Sequence, residues 1–235
     1  MRSVRSTRHG GLPGSVRIAA PSRRATLLAL LTALCAHFGS IPLAAEPLHI
    51  VAFGDSLMAG HGLAETDAFP AKLEAALKTK GHDVRISNAG VSGDTASGGL
   101  ARLDWSVPDR VDAVILELGA NDALRALDPA ITRKSLDAII RRLKERRIEV
   151  LLAGMQAPRN LGAEYVAAFD RIYPDLAKAH DILLYPFFLD GVATDTGLNQ
   201  RDGLHPTVAG IDVIVARILP AVEQLIARVR ANRKG

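Results

Sequence analysis

Three residues of this sequence could together perform nucleophilic catalysis. Ser56 ends the apolar segment VAFGDS, and Asp202 and His205 lie close together in NQRDGLHPT. A serine hydroxyl is a weak nucleophile and needs a base within hydrogen-bonding reach. His205 could be that base, with the Asp202 carboxylate holding its tautomer and stabilising the imidazolium. The alternative is structural, with Ser56 capping a helix and Asp202 forming a turn before Pro206.

Acyl transfer also needs hydrogen-bond donors for the negative charge that develops on the substrate oxygen. The candidates are the backbone amides of Ser56 and Gly90 and the side-chain amide of Asn121. Gly90 lies in SNAGVSGDT and Asn121 in ELGANDAL. Gly90 has no Cβ, so the backbone can approach a neighbour closely. Taken singly, Gly90 also fits a plain turn glycine and Asn121 a turn amide.

The other histidines after residue 45 have different interpretations. His49 begins a strand, His82 follows a helix-ending glycine, and His180 lies at a helix end, where cations are favoured. These positions indicate structural roles. His61 lies near Ser56 in a glycine-rich loop but has no acid at a fixed short offset. His61 therefore fits the entrance of a site better than the role of base.

Four acidic residues near these segments are interpreted as structural. Asp55, Asp94 and Asp122 are typical of helix caps and loop braces. Glu117 lies in an apolar strand, which predicts a buried hydrogen-bond acceptor rather than a catalytic acid.

Short apolar segments alternate with longer amphipathic ones from Leu48 onward. Most of the apolar segments are continuous, as is typical of strands buried on both faces of a parallel sheet. The order βαβαβαβαβα predicts a three-layer α/β/α sandwich. The candidate site residues follow strands, at the sheet edge where such folds bind ligands. The five apolar segments are LHIVAF, DVRISNA, AVILELG, EVLLAGM and ILLYPFF.

Four of the intervening segments have a helical pattern with recognisable ends. Gly81 is a C-terminal signal for the first, and Asp128 followed by Pro129 begins the second. Pro174 interrupts the third, and Pro220 predicts a kink in the fourth. The segments are FPAKLEAALKTKGH, DPAITRKSLDAIIRRLKERR, AEYVAAFDRIYPDLAKAH and TVAGIDVIVARILPAVEQLIARVR.

Composition predicts one domain with no nucleic-acid partner. The chain has 235 residues, is 48% hydrophobic and carries a formal net charge of +4. Residues 1–45 hold six arginines and no acid, which leaves 23 bases against 25 acids in the rest. The basic character therefore belongs to the first segment, and the remainder has no electrostatic feature that favours nucleic acid.

Residues 1–45 have the features of an export signal. A basic segment precedes the apolar run ATLLALLTALCAHF, and Ala44 and Ala45 supply small residues for cleavage. The run is short for a bilayer span, so we expect no stable membrane anchor, although an anchor is the alternative. We expect a periplasmic or secreted domain over residues 46–235. Paired arginines raise twin-arginine export, but Thr26 stands where that signal prefers phenylalanine.

The single cysteine, Cys35, lies inside the predicted signal. Leu34 precedes it, where a lipoprotein signal has a small residue. A processed chain would then contain no thiol, which excludes thiol catalysis and cysteine-based metal sites.

Four sequence blocks together resemble the GDSL, or SGNH, hydrolases. These are FGDSL, NAGVSGDT, GAND and DGLHP, in that order, within a similarity that extends over residues 48–226. SGDTASGGLARL, ELGANDALR and YPFFLDGV resemble in particular the bacterial periplasmic arylesterases, also described as multifunctional thioesterase I/lysophospholipase. The resemblance implies a flavodoxin-like five-stranded parallel sheet of order 2-1-3-4-5 and a hydrolase without metal or other cofactor. It also implies a Ser56–His205–Asp202 triad, with an oxyanion hole formed by Ser56, Gly90 and Asn121.

The same resemblance assigns the segment GMQAPRNLG to a loop that lines the substrate groove. Its candidate groove residues are Met155, Gln156, Ala157 and Pro158. Gln156 stands where some members have a basic residue, so the preferred acyl chain is left open. The expected substrates are small esters, thioesters or lipids.

Other functions remain as alternatives. An esterase of acetylated polysaccharides would use the same fold, but Trp105 and few other aromatic residues are present to stack on sugars. A non-catalytic binding domain would be expected to lack the serine, asparagine or histidine. A nucleotide-binding protein would need a phosphate-binding lysine or a GxGxxG segment, and GDSLMAGHG has neither. Oligomeric state is left open.

Overall fold

A five-stranded parallel sheet forms the centre of the computed structural model, which describes residues 46–233. The strand order is β2-β1-β3-β4-β5, and every neighbouring pair is parallel. This confirms the predicted flavodoxin-like sheet. The strands are β1 (Leu48–Gly54), β2 (Val84–Gly90), β3 (Ala113–Glu117), β4 (Glu149–Ala153) and β5 (Leu183–Tyr185).

Helices cover the sheet and give the expected three-layer sandwich. The second helix packs on the last, while the third packs on the fifth and the fifth on the seventh. Two single 3₁₀ turns lie at Glu65–Asp67 and Arg159–Leu161. The helices are α1 (Ser56–Ala59), α2 (Phe69–Thr79), α3 (Ala96–Ser106), α4 (Ala120–Leu124), α5 (Pro129–Glu145), α6 (Ala163–Asp170), α7 (Ile172–His180) and α8 (Val208–Asn232).

The burial of the strands follows their positions in the sheet. All residues of β1 and β3, the two inner strands nearest the site, are buried. β2 lies at one edge and alternates between buried and more exposed residues in its first half. Burying an aliphatic or aromatic side chain contributes about 1.5–3 kcal/mol, so the apolar β1 and β3 hold the carboxyl edge firmly in place.

Helix ends follow the expected local chemistry. Asp128 caps α5 by accepting a hydrogen bond from the Ala130 amide at 2.8 Å, and Pro129 is the first helical residue. Proline fits this position because the first amide of a helix has no intrahelical partner. Gly81, at φ +83°, follows the end of α2 and confirms the predicted termination.

The predicted helix over residues 163–180 is two helices in the structure. α6 ends at Asp170 and α7 begins at Ile172, so the break precedes Pro174. A proline ring clashes with the carbonyl four residues earlier, here that of Asp170, which explains the position of the break. By contrast, α8 runs as one helix through Pro220.

Two other elements differ from the quoted segments. β5 has three residues rather than seven, because Pro186 lacks the N–H that would continue the ladder. α3 follows β2 in a segment where the sequence analysis predicts no helix, because its two adjacent glycines weaken the helical pattern.

None of the helices between residues 46 and 233 is long and apolar enough to cross a membrane. The predicted export signal, residues 1–45, lies outside the described residues.

Candidate active site

Ser56 lies where β1 passes into α1. Asp55 is the N-cap, and its Oδ1 accepts a hydrogen bond from the Leu57 amide at 3.0 Å. α1 ends after one turn at Gly60, whose φ of +77° glycine adopts readily. This sharp strand-to-helix turn places the serine at the carboxyl edge of the sheet. Asp55 is therefore the cap that the sequence predicted, with Ser56 as the first helical residue.

A continuous chain of hydrogen bonds joins the three candidate triad residues. Ser56 Oγ donates to His205 Nε2 at 2.8 Å, and His205 Nδ1 donates to Asp202 Oδ2 at 2.6 Å. The hydrogen bond from His205 is the main cause that lowers the pKa of the Asp202 carboxyl well below its usual range. The carboxylate therefore stays charged at neutral pH and favours the tautomer whose Nε2 accepts from serine.

The loop that carries Asp202 and His205 is closed by its own hydrogen bonds. Asp202 Oδ1 accepts from the amides of Leu204 and His205, at 2.9 and 3.0 Å. Gly203, at φ +70°, makes the turn between them. The amide of Gln200 donates to the His205 carbonyl at 2.7 Å. Both candidate triad members thus occupy one hydrogen-bonded turn shortly before α8.

Two of the three candidate oxyanion donors border the same cavity. The Ser56 amide is the first of α1, and such amides have no intrahelical acceptor. Asn121 follows β3 at the start of α4, and its Nδ2 donates to Asp55 Oδ2 at 3.2 Å. Both Ser56 and Asn121 line the cavity. Asp55 therefore orients Asn121 as well as capping α1, a role that sequence reasoning missed because it depends on a contact between distant segments.

Gly90, the third candidate donor, lies against the end of α1. Its amide donates to Asn88 Oδ1 at 2.9 Å. A Cβ at this position would overlap the Ala59 amide nitrogen and lie 2.7 Å from the Met58 carbonyl carbon. The close backbone approach explains why glycine is needed here. To serve an oxyanion, the Gly90 amide must first leave Asn88.

Two buried acids lie beneath the serine. The Asp55 amide donates to Glu117 Oε2 at 3.3 Å, which confirms Glu117 as a buried acceptor. Burial raises the pKa of Asp55 to about 6, and burial together with the Asp55 charge raises the pKa of Glu117 well above its usual range. Both shifts favour the neutral acids, which lessens the repulsion between two charges side by side in the core.

The other two predicted structural acids brace neighbouring loops. Asp94 Oδ2 accepts from Arg102 Nε at 2.5 Å. Arg102 also donates to the carbonyls of Gly54 and Ala89, so it ties the ends of β1 and β2 together. Asp122 accepts from the Ala96 amide and from a threonine hydroxyl, both at 2.9 Å.

A cavity of about 420 Å³ opens beside the triad. Met155, Gln156, Ala157 and Pro158, which the resemblance implies as groove residues, all line it. Most of the other lining side chains are apolar. Several of these are absent from the sequence prediction, although some follow β5 and so lie at the same carboxyl edge of the sheet as the predicted site residues. The missed apolar members include Leu57, Leu124, Phe187, Leu189 and Leu204.

Side-chain bonds hold the groove loop in place. Asp170 Oδ1 accepts from the Ala157 amide at 2.9 Å, and its Oδ2 accepts from Arg159 Nη1 at 2.5 Å. Arg159 Nη2 also donates to Gln156 Oε1 at 2.6 Å. Gln156 is thereby fixed at the cavity wall by a basic neighbour.

Three of the remaining histidines have structural partners elsewhere. His49 bonds Ser87 Oγ at 2.7 Å, while His82 and His180 contact carboxylates on neighbouring helices at 3.1 and 2.7 Å. His61 differs, because the centroid of its ring lies 4.3 Å from that of His205. His61 therefore lies beside His205, although it is not among the residues that line the cavity.

The chain is similar to known proteins over most of its length. Over 184 residues it is 38% identical to Esterase TesA of Pseudomonas aeruginosa, covering 78% of this chain and 90% of that protein. Over 164 residues it is 40% identical to Thioesterase 1/protease 1/lysophospholipase L1 of Escherichia coli K12, covering 69% and 76%. The crystal structure of AlinE4, an SGNH-hydrolase family esterase, superposes with a TM-score of 0.65 at 49% identity, covering 76% of this chain and 96% of that one.

Residues 52–213 match the GDSL-like Lipase/Acylhydrolase family. This span contains every member of the hydrogen-bonded chain from Ser56 to Asp202. Sequence match, sheet order and the names of the relatives agree with one another. The chain therefore belongs to the GDSL-like lipase/acylhydrolase family, and it is a serine ester hydrolase.

Proposed function

We propose that the protein hydrolyses carboxylic esters and thioesters through Ser56, His205 and Asp202. The observation that carries this proposal is the hydrogen-bonded chain Asp202–His205–Ser56, of which Ser56 and His205 line a mostly apolar cavity. A nucleophile, its base and the group that orients the base are the parts that acyl transfer requires.

The proposed reaction has two halves. Ser56 Oγ attacks the substrate carbonyl carbon while His205 Nε2 takes the hydroxyl proton. His205 then gives that proton to the leaving alcohol or thiol as the carbonyl re-forms, which leaves an acyl-enzyme. Water attacks this ester with the same base and releases the acid. The Ser56 amide and Asn121 Nδ2 are the proposed donors to the oxyanion, with Gly90 as a third.

The cavity supports a substrate with an apolar acyl or aryl group. Its lining is mostly apolar and also includes Ser56 and Asn121. The relatives carry names that include arylesterase, thioesterase and lysophospholipase. We therefore propose small aryl esters, acyl-thioesters and lysophospholipids as the substrate classes of this chain.

A substrate panel with a matched variant tests the proposal. Aryl esters, acyl-thioesters, lysophospholipids and acetylated xylan are assayed with the wild type and with Ser56→Ala. We expect turnover of the first three classes, lost in the variant. A fluorophosphonate probe should label Ser56, located by peptide mass spectrometry. Turnover of acetylated xylan alone, or labelling at Ser92 or Ser97 instead, would overturn the proposed substrate or the proposed nucleophile.

We also propose that residues 1–45 direct export and are removed, so that the enzyme acts as a single domain over residues 46–235 in the periplasm or outside the cell. The support is the arginine-rich segment, the apolar run and the small residues that follow it.

A further inference from the structure

His61 and the two acid–base members of the triad form a cluster of metal-ligating groups. One ligand atom from each of His61, Asp202 and His205 can be chosen so that all three lie within 4.8 Å of one another. The rings of His61 and His205 are 4.3 Å apart between centroids, at an angle of 37°. Two imidazoles and one carboxylate are a ligand set that zinc binds in proteins.

We propose that this cluster is an inhibitory Zn²⁺ site. Binding requires only the three side chains and goes beyond the proposed function, while the inhibition rests on the proposed role of His205 as base. The site is a control point rather than part of catalysis, because the metal and the substrate serine compete for the same histidine.

Hydrogen bonds from Gln200 hold the loops of the two histidines together. Gln200 Nε2 donates to the His61 carbonyl at 2.7 Å and to the Pro206 carbonyl at 3.0 Å. The Gln200 amide donates to the His205 carbonyl at 2.7 Å. One glutamine thus ties the loop of His61 to the turn of His205, so the approach of the two rings is built into the fold.

The distances allow coordination after a small side-chain movement. Zinc binds nitrogen at about 2.0–2.1 Å, which places two ligand atoms on a tetrahedral ion about 3.4 Å apart. Since all three atoms lie within 4.8 Å of one another, no separation needs to close by more than about 1.4 Å. His61 is exposed and can make that movement by rotating its side chain. With both imidazoles neutral, the carboxylate gives the cluster a charge of −1, which favours a dication.

Metal binding at these atoms must disturb the triad. His205 has two ring nitrogens, of which Nδ1 bonds Asp202 and Nε2 bonds Ser56. Zinc on Nε2 occupies the lone pair that would accept the serine proton. Zinc on Nδ1 displaces the Asp202 hydrogen bond that holds the ring. Either arrangement removes the base without any change in the fold.

Binding is tested first on protein that cannot turn over substrate. Full-length Ser56→Ala is dialysed to equilibrium against ZnCl₂ and its metal content is measured, with Cys35→Ser present throughout so that the thiol cannot contribute. We expect that adding His61→Asn weakens the binding of one Zn²⁺ per chain at least about tenfold, so that the metal content falls at a concentration that just saturates the parent. Adding His82→Asn is the matched control, because His82 contacts the Glu223 carboxylate without a second histidine. It should change the content much less. Equal binding with and without His61 would overturn the proposal.

Inhibition is tested on the active enzyme. We expect Zn²⁺, but not Mg²⁺, to inhibit ester hydrolysis, and EDTA to restore it. His61→Asn should hydrolyse esters at the wild-type rate, because His61 lies outside the residues that line the cavity, and should need at least about tenfold more Zn²⁺ for inhibition. Full activity with zinc bound would refute the inhibitory role. Absence of any ester hydrolysis would count against the proposed function, while the binding result would still decide whether the site exists.

Discussion

In the proposed mechanism, His205 can accept the Ser56 proton only while Asp202 keeps the ring protonated on Nδ1, which leaves Nε2 free to accept. Asp202 divides its oxygens between two tasks, since Oδ2 faces His205 and Oδ1 accepts two backbone amides. This division determines what a neutral substitute would do. An amide in place of the carboxylate keeps its oxygen where two N–H groups point, so its NH₂ group must face the imidazole.

Asp202→Asn should therefore fix the wrong tautomer. An NH₂ group donating to His205 Nδ1 places the proton on Nε2, which then cannot accept from Ser56. We expect kcat/KM on an aryl ester to fall by about 10⁴. Asp202→Ala should lose less, because the ring is no longer held in the wrong form. Asp195→Asn is the control, since Asp195 makes a similar turn by accepting from the Gly197 amide. Similar losses for Asp202→Asn and Asp195→Asn would contradict the assignment.

Asn121 provides a second test at single residues. Its side chain lines the cavity and is oriented by Asp55. Removing one oxyanion donor typically lowers kcat by about 10²–10³. Asn121→Ala should show a loss of this size in kcat, with a smaller change in KM, when steady-state rates are measured on one aryl ester. A loss confined to KM would show that Asn121 binds the ground state rather than the oxyanion.

Glu117 predicts how stability depends on pH. Its pKa is raised in the fold, mainly by burial, so the native state binds more protons than the unfolded chain above the ordinary pKa of glutamate. The free energy of unfolding therefore decreases as the pH rises above about 4.3, the ordinary pKa of glutamate. Glu117→Gln imitates the neutral acid. Its free energy of unfolding should therefore rise relative to that of the wild type as the pH increases, by up to about 1.4 kcal/mol for each unit by which the pKa of Glu117 is raised. Urea unfolding at several pH values measures the difference, with Glu164→Gln on exposed α6 as control. If the stability difference between Glu117→Gln and the wild type decreased with rising pH, the raised pKa of Glu117 would be contradicted.

At the scale of elements, the site depends on how closely β2 approaches α1. Gly90→Ala places a methyl group against backbone atoms of Ala59 and Met58, so the strand or the helix must move. Such overpacking costs about 1–3 kcal/mol of stability. Because α1 carries Ser56, we also expect kcat/KM to fall. Gly197→Ala is the control, since its Cβ would meet one side-chain oxygen at 3.3 Å. Thermal unfolding and ester turnover measure both effects, and an unchanged Tm would contradict the close approach.

The sequence predicts most of the elements because their signals are local. Continuous apolar segments located all five strands, and their chain order with the family resemblance gave the sheet order. Pro174 predicted an interruption, although the break falls earlier because a proline acts on the preceding turn. The contacts of Asn88 with Gly90 and of Gln200 with His61 join side chain to backbone at positions that no periodic pattern marks. Such contacts appear only once the chain is folded.

At the scale of the whole molecule, the charge distribution separates the first segment from the enzyme. We expect the mature N-terminus near Glu46, because Ala44 and Ala45 supply the small residues before it. Intact mass and N-terminal sequencing of the protein from the native host measure this. Fractionation should find it outside the cytoplasm. An uncleaved chain in the cytosolic fraction would refute the export proposal, without bearing on the triad.

The bond between His205 and Ser56 spans 149 positions of the chain. A ribosome makes the chain from the N-terminus, so the segment that carries Ser56 is synthesised long before His205. A nascent chain therefore holds a serine without its proton acceptor until nearly all of it has been synthesised. In the proposed mechanism, hydrolysis can begin only once the His205 turn, directly before the last helix, lies at the sheet edge. We therefore expect no ester hydrolysis from a chain that ends before residue 205.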